Sequence, residues 1–109
     1  MSFDMNKLMQ QAAEMQKQVE QMQADAENEI GDSSVGGGMV KVTANGAGRV
    51  LSIEISPEAI DPSDPEALAD LVLAGVNEAL RSAAAAIEAK AQQMQSELLG
   101  GLGLPGLEP

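Results

Sequence analysis

The chain has no cysteine, histidine, tryptophan or tyrosine, and it has one phenylalanine in 109 residues. The lack of cysteine excludes disulfides, thiolate nucleophiles and cysteine-based metal sites. The lack of histidine removes the side chain that most often serves as a base or transition-metal ligand near neutral pH. The serines therefore have no histidine to activate them. This composition argues against an enzyme, and we expect no catalytic residue, cofactor or metal.

Long apolar runs and large core residues are also missing. No run approaches the roughly 20 apolar residues of a membrane-spanning helix. The first residues, Met-Ser-Phe-Asp, have neither the basic start nor the apolar core of a secretory signal. We therefore expect a soluble, cytoplasmic protein that binds no membrane. A domain of this length buries only part of its surface, and a homodimer would supply the missing core.

Basic residues are scarce, with 6 Lys and Arg against 17 Asp and Glu, for a net charge of −11. Residues 1–30 hold two bases and six acids, and residues 57–99 hold two bases and eight acids. Residues 31–56 are neutral, with two of each. The overall charge argues against nucleic-acid binding, because phosphate contacts need clustered Lys and Arg. The neutral segment is the part of the chain that would not repel a polyanion.

The first helix is predicted from Asp4 to Ala26, with Asp4 as its N-cap. Apolar residues recur there at alternating spacings of three and four: Met5, Leu8, Ala12, Met15, Val19, Met22 and Ala26. Glutamines occupy many of the remaining positions. This heptad pattern is typical of a helix that packs lengthwise on a partner. We interpret the methionines as packing residues and not as a ligand-binding surface.

A small sheet is predicted after the first helix. A short irregular strand is expected around residues 29–34, followed by a hairpin with a four-residue Asn45–Gly48 connection. The predicted pairs are Ala44 with Arg49, Val42 with Leu51, and Val40 with Ile53. They share a buried face that Ile55 continues. The opposite, wet face would carry Lys41, Thr43, Val50, Ser52 and Glu54.

Two motifs that could suggest ligand sites are interpreted as structural. Gly31 and Gly36 have the spacing of a phosphate-binding loop, but Gly37 stands where that loop needs lysine. We expect Gly36–Gly38 to allow a tight turn at positive φ. Acidic residues cluster before the second helix, where prolines interrupt any regular metal-ligand spacing: Asp61, Asp64, Glu66 and Asp70. These acids suit the start of a helix.

The second helix is predicted to begin near residue 65. Its start fits either a Ser63–Glu66 capping box or Asp64 as the cap with Pro65 in the first turn. From 65 to 99 it would be about 50 Å long, more than so small a subunit covers. Its far half is therefore expected to meet another chain, with an interface at Val76, Leu80, Ala83, Ile87 and Met94. Residues 1–99 form one predicted domain, and residues 100–109 a disordered Gly/Leu/Pro tail.

The order of motifs is distinctive: a Met/Gln-rich helix, a glycine-opened strand, an Asn-Gly turn and an acidic Asp-Pro helix entry. The segments that carry this pattern are 36–43, 45–48, 53–57, 68–72 and 77–79. In this order they resemble the YbaB/EbfC family of bacterial nucleoid-associated proteins. The resemblance implies an α+β subunit of order α-β-β-β-α and an intertwined, coiled-coil-containing homodimer. It also implies duplex DNA binding, a role in nucleoid organisation or gene regulation, and no enzymatic activity or small-molecule substrate.

Candidate DNA-contacting residues are Lys41, Arg49 and Lys7. The Val-Lys-Val motif places Lys41 on the strand that the family shares, on the wet face of the sheet. Lys41 could contact a phosphate, or it could form an ordinary surface pair with Glu54 that is worth little. A second functional class also stays open, in which an acidic dimer uses its helices to dock another protein and has little DNA affinity.

Overall fold

The computed structural model describes residues 4–101. The chain forms α1 (Met5–Asn28), β1 (Ile30–Val35), β2 (Val40–Asn45), β3 (Val50–Ile55), a short 3₁₀ turn (Pro57–Ala59) and α2 (Pro65–Gly101). This α-β-β-β-α order confirms the predicted α+β subunit. Neither helix in the described range has the length and hydropathy that crossing a bilayer requires.

Both helices begin where local capping signals place them. The Asp4 carboxylate accepts a hydrogen bond from the Lys7 amide at 3.2 Å, which caps α1 as predicted. At the second start, the Asp64 carboxylate accepts from the Ala67 amide at 3.3 Å. The Asp64–Pro65 alternative is therefore the one that the structure adopts. Helix α2 has 37 residues, about 55 Å, and ends two residues inside the segment predicted to be disordered. The rest of that segment, 102–109, lies outside the described residues.

The three strands form an antiparallel sheet in the order β1-β2-β3. The predicted hairpin register is wrong: Val42 pairs with Ile53, and Val40 pairs with Ile55. The turn explains part of the shift. The Asn45 amide donates to the Arg49 carbonyl at 2.9 Å, so these two residues pair and the loop between them has three residues instead of four. Gly48, the last residue of the loop, has a φ of 88°. A residue in this left-handed conformation is typical of a three-residue hairpin loop.

An irregularity between Thr43 and Ala44 explains the remainder of the register shift. Thr43 pairs with Ser52 but Ala44 pairs with Val50, so Leu51 is an extra residue on β3. The bulge brings Val50 onto the inner face, where it packs against the core. The prediction that Val50 lies on the wet face is therefore wrong.

The core lies between α2 and the first two strands. Val40, Val42 and Ala44 are buried there together with Ala79. Gly31 allows the close approach of helix and sheet, because a Cβ at that position would overlap backbone atoms of α2. The Ser33 hydroxyl donates to the Gly75 carbonyl of α2 at 2.6 Å. These contacts fix α2 along β1 and β2 and leave β3 largely uncovered.

The glycines between β1 and β2 take the predicted conformation. Gly36, Gly37 and Gly38 have φ values of 64°, 70° and 91°, a region that side chains with a Cβ rarely adopt. Gly36 also lies beneath Leu71 of α2, where a Cβ would approach within 2.9 Å of the leucine. The triple glycine therefore forms the turn that delivers the chain into β2.

Helix α1 projects from this small core without burying any of its residues. Its apolar stripe, from Met5 to Met22, is exposed within the single chain. The methionines consequently fill no core of their own subunit, and the predicted lengthwise packing would need a second molecule.

Candidate functional site

The inner face of the sheet is apolar along β2 and β3, but α2 covers it on β2 and leaves it largely uncovered on β3. Ile53 and Ile55 pair directly with the fully buried Val42 and Val40, yet they are 43% and 38% exposed. The bulged Leu51 is also exposed. Together Leu51, Ile53 and Ile55 form a surface that we call the β3 apolar face. Sequence analysis missed its exposure, because strand alternation does not reveal which strands a helix covers.

The predicted interface residues on α2 occupy different environments. Ala83 is fully buried against Gly31 of its own chain, so within one subunit it presents no free surface. Val76 and Leu80 are half-buried and pack against the core of the same subunit. Ile87 packs on Gly46 in the hairpin turn, while Met94 is exposed. The far half of α2 therefore retains free apolar surface at Met94 and Leu98, and the near half retains it at Leu73.

Lys41 lies on the exposed outer face of the sheet, as predicted. The corrected register places Glu54 directly across β3 from it, and Ser34 across β1. Nearby, the Thr43 hydroxyl donates to the Asp32 carboxylate at 3.1 Å. Among the described residues, ion pairs within 4.0 Å join Arg81 to Glu78 and Lys90 to Glu29. Lys41 forms no such pair, and its ammonium remains available to a phosphate.

The other two candidate bases lie on different elements. Arg49 is exposed directly after the hairpin turn, where its amide donates to the Asn45 side chain at 3.1 Å. Lys7 is exposed in the first turn of α1. Arg49 is hydrogen-bonded to Asn45. Lys41 is four residues from Asn45 along β2, a distance of roughly 13 Å along an extended strand. The structure therefore places the three bases at separate points and does not gather them into one patch.

The acidic residues before α2 have a local structural role. The Asp61 carboxylate accepts hydrogen bonds from the Ser63 hydroxyl at 2.7 Å and from the Ser63 amide at 2.9 Å. These two bonds lower the pKa of Asp61 from its ordinary value. Within residues 4–101, no three acidic side chains converge on a point that could hold a metal ion.

Comparison with known proteins identifies the family. The family model of the YbaB/EbfC DNA-binding family matches residues 1–98. The chain belongs to this family. YbaB/EbfC membership places the chain in a DNA-binding family and not among enzymes.

Relatives extend along nearly the whole chain. A nucleoid-associated protein from Pelotomaculum thermopropionicum is 45% identical over 107 residues, covering 98% of each chain. A nucleoid-associated protein from Ruminiclostridium cellulolyticum is 47% identical over 105 residues, covering 95% of this chain and 88% of the relative. A solved structure of an uncharacterized protein from Helicobacter pylori superposes with a TM-score of 0.62 at 24% identity. The match covers 90% of this chain and 99% of the other, and it shows that the two chains share a fold.

Proposed function

We propose that this protein binds duplex DNA as a homodimer and associates with the bacterial nucleoid in the cytoplasm, where it organises DNA or regulates gene expression. The observation that carries the proposal is the family match over residues 1–98. Relatives at 43–47% identity that bear the name nucleoid-associated protein support the same role.

The case for a homodimer rests on uncovered apolar surface. The β3 apolar face continues the buried face of β2, and α1 exposes its heptad stripe along its length. Burying apolar surface contributes about 25 cal/mol per Å², so a second copy placed on these surfaces would stabilise both subunits. We place the β3 apolar face at the centre of the dimer contact. Met94 and the exposed far part of α2 extend the contact surface proposed from the sequence.

The case for DNA contact rests on the available bases of the neutral segment. Lys41 and Arg49 are exposed and form no ion pair within the described range. Lys7 adds a third base at the start of α1. Two-fold symmetry would double each of these, giving phosphate contacts spread over a wide surface. Such contacts favour binding that is weak, salt-sensitive and largely independent of sequence.

A gel-shift titration against duplex DNA over a salt series tests the proposal. We expect a shift at low salt that weakens steeply as the salt concentration rises. The second candidate function is an acidic dimer that docks another protein, which the net charge of −11 and the exposed α1 stripe favour. A dimer that gives no shift even at low salt would support that alternative and exclude DNA binding.

A further inference from the structure

The dipeptide Asn45–Gly46 ends β2 and begins the hairpin turn, and the fold depends on both of its residues. Asn45 is 6% exposed, and its Oδ1 accepts hydrogen bonds from the amides of Ala47 and Arg49, each at 3.1 Å. A Cβ on Gly46 would overlap the Ile87 side chain, so a larger residue does not fit there. The packing of the turn therefore requires an Asn-Gly pair.

An Asn-Gly pair is also the dipeptide that deamidates most readily in an open chain. Asparagine is a thermally labile residue, and a following glycine has no Cβ to hinder attack by its backbone nitrogen on the asparagine side chain. The two amides that donate to Oδ1 polarise the Asn45 carboxamide, and such donors stabilise the oxyanion that forms during attack. The availability of the Gly46 nitrogen therefore controls whether the reaction takes place.

The Gly46 nitrogen is restrained where α1 meets β1. Its N–H donates to the carbonyls of Ala26 and Glu29, both at 2.9 Å, and Ile87 packs on the same glycine from α2. The attack requires the nitrogen to lose its proton, and two acceptor oxygens beside it disfavour the anion that would result. We call the segment from Ala26 to Glu29 the α1–β1 junction. While this junction is closed, the nucleophile is unavailable.

Few contacts within the chain hold the α1–β1 junction closed. Asp25 and Ala26 are the only half-buried residues of α1, and all others in the helix are exposed. The ion pair of Lys90 with Glu29, at 3.5 Å, is partly exposed, and such pairs contribute little. Segments with few buried contacts open locally at a lower free energy than global unfolding requires. The junction can therefore open while α2 stays packed on the sheet.

We propose that Asn45–Gly46 is a deamidation site controlled by the α1–β1 junction. When the junction opens, hydroxide removes the Gly46 amide proton, the nitrogen attacks the side-chain carbonyl carbon of Asn45, and the bond from that carbon to the side-chain nitrogen breaks. The nitrogen leaves as ammonia after taking a proton from water, which restores the hydroxide and leaves a succinimide ring. Water then opens the ring to aspartate or isoaspartate. This inference goes beyond the proposed function and does not depend on DNA binding.

The two products have different effects on the turn. Aspartate keeps the backbone unchanged, and its carboxylate can still accept from the amides of Ala47 and Arg49. Isoaspartate directs the backbone through the former side-chain carbonyl, which adds a methylene before Gly46. The added length displaces the Gly46 amide from its two acceptors. Isoaspartate therefore keeps the α1–β1 junction open.

The proposal is tested by comparing deamidation with hydrogen exchange in the full chain. Peptide mass spectrometry, with chromatographic separation of isoaspartate from aspartate, follows position 45 in native protein and in protein unfolded by urea. Exchange of the Gly46 amide in native protein measures how often the junction opens. We expect native deamidation to be slower than deamidation of the unfolded chain, by a factor no larger than the exchange protection of Gly46.

A pair of matched variants separates local opening from global unfolding. Ile87→Ala removes the side chain that packs on Gly46 and should accelerate native deamidation roughly tenfold, since truncation of a half-buried isoleucine destabilises less than truncation of a buried one. Leu68→Ala truncates another half-buried residue of α2, which packs on the core and not on the turn. It should leave the rate unchanged. Circular dichroism checks that both variants are folded.

Three results would overturn the proposal. One is equal deamidation of the native and unfolded protein, which would show that the junction does not protect the site. Another is native slowing beyond the exchange protection of Gly46, which would show that an open junction does not react. The third is equal acceleration by Leu68→Ala and Ile87→Ala, which would tie the reaction to global unfolding.

Discussion

Val42 and Ile53 are direct neighbours across β2 and β3, yet Val42 is 1% exposed and Ile53 is 43% exposed. They share one face of the sheet, because paired residues of antiparallel strands point to the same side. The difference arises because α2 lies along β1 and β2 and reaches little of β3. The apolar layer thus extends past the helix that covers it, which is the main structural reason to expect a second copy at this place.

The first prediction concerns that exposed half of the layer. Ile53→Asp should weaken the dimer and leave the subunit folded, because the new carboxylate is buried only when a second copy covers the face. Sedimentation equilibrium should show a shift from twice the chain mass of 11.3 kDa towards the single-chain mass. Ser52→Asp, one residue away on the outer face, is the control and should stay dimeric. Equal dimerisation of both variants would place the interface elsewhere.

The second prediction concerns the approach of helix and sheet at Gly31. Gly31→Ala should lower the free energy of unfolding by about 1–3 kcal/mol or more, because its Cβ would overlap backbone atoms of Ala79 and Ala83. Gly37→Ala is the comparison: a Cβ there meets nothing within 4 Å, but the φ of 70° is strained. Its expected cost is about 1 kcal/mol. Urea unfolding measures both, and a smaller loss for Gly31→Ala would contradict close packing of α2 on the sheet at Gly31.

The third prediction concerns the DNA contact. Lys41 and Arg49 give four bases in a dimer, so the logarithm of affinity should fall against the logarithm of salt with a slope of roughly −4, at about −0.9 per phosphate. Lys41→Glu with Arg49→Glu should abolish the gel-shift while circular dichroism and dimer mass stay unchanged. The variant Lys17→Glu with Arg81→Glu changes the net charge equally and should retain binding. If the two double variants bind alike, total charge and not this surface controls affinity.

The fourth prediction concerns the turn before α2. Ser63→Ala should raise the pKa of Asp61 towards its ordinary value of 3.8, since the Ser63 hydroxyl is the largest cause of the lowered pKa. A lowered carboxyl pKa contributes stability that is present above the unfolded-state pKa and is lost as the pH falls through the folded-state pKa. The stability that Asp61 contributes is therefore present above pH 3.8 and is lost as the pH falls below it. A carbon-detected NMR titration of Asp61 measures it, and an unchanged midpoint would show that the hydroxyl bond is absent in solution.

Local signals in the sequence were enough to predict both helix starts. Asp4 and Asp64 each act through a side-chain oxygen that caps amides within three residues, so no distant contact is involved. The order of elements followed from periodicity and from the glycine turn for similar reasons. The hairpin register failed for two reasons. The loop has three residues and not four, and the bulge at Leu51 inserts a residue that strict alternation cannot anticipate.

The candidate site was less predictable, because it depends on how distant segments pack. The burial of Ala83 and the exposure of Ile53 both follow from the line that α2 takes across the sheet. That line is set by close contacts at Gly31 and Gly75, more than 40 positions apart in the chain. The sequence identified the exposed bases Lys41 and Arg49 but gave no measure of their separation.

Both edge strands of the sheet carry an exposed carboxylate, Asp32 on β1 and Glu54 on β3, but β3 also exposes the β3 apolar face. At the opposite edge from β3, strand β1 exposes Asp32 and Ser34, and a carboxylate on an edge strand discourages a further strand from joining. An isologous contact through the β3 apolar face would cover that face in both copies and leave β1 at each outer end. Association of this kind ends at two subunits, because each copy has used its one contact surface. The sheet would then bind one partner copy and would not extend into fibres.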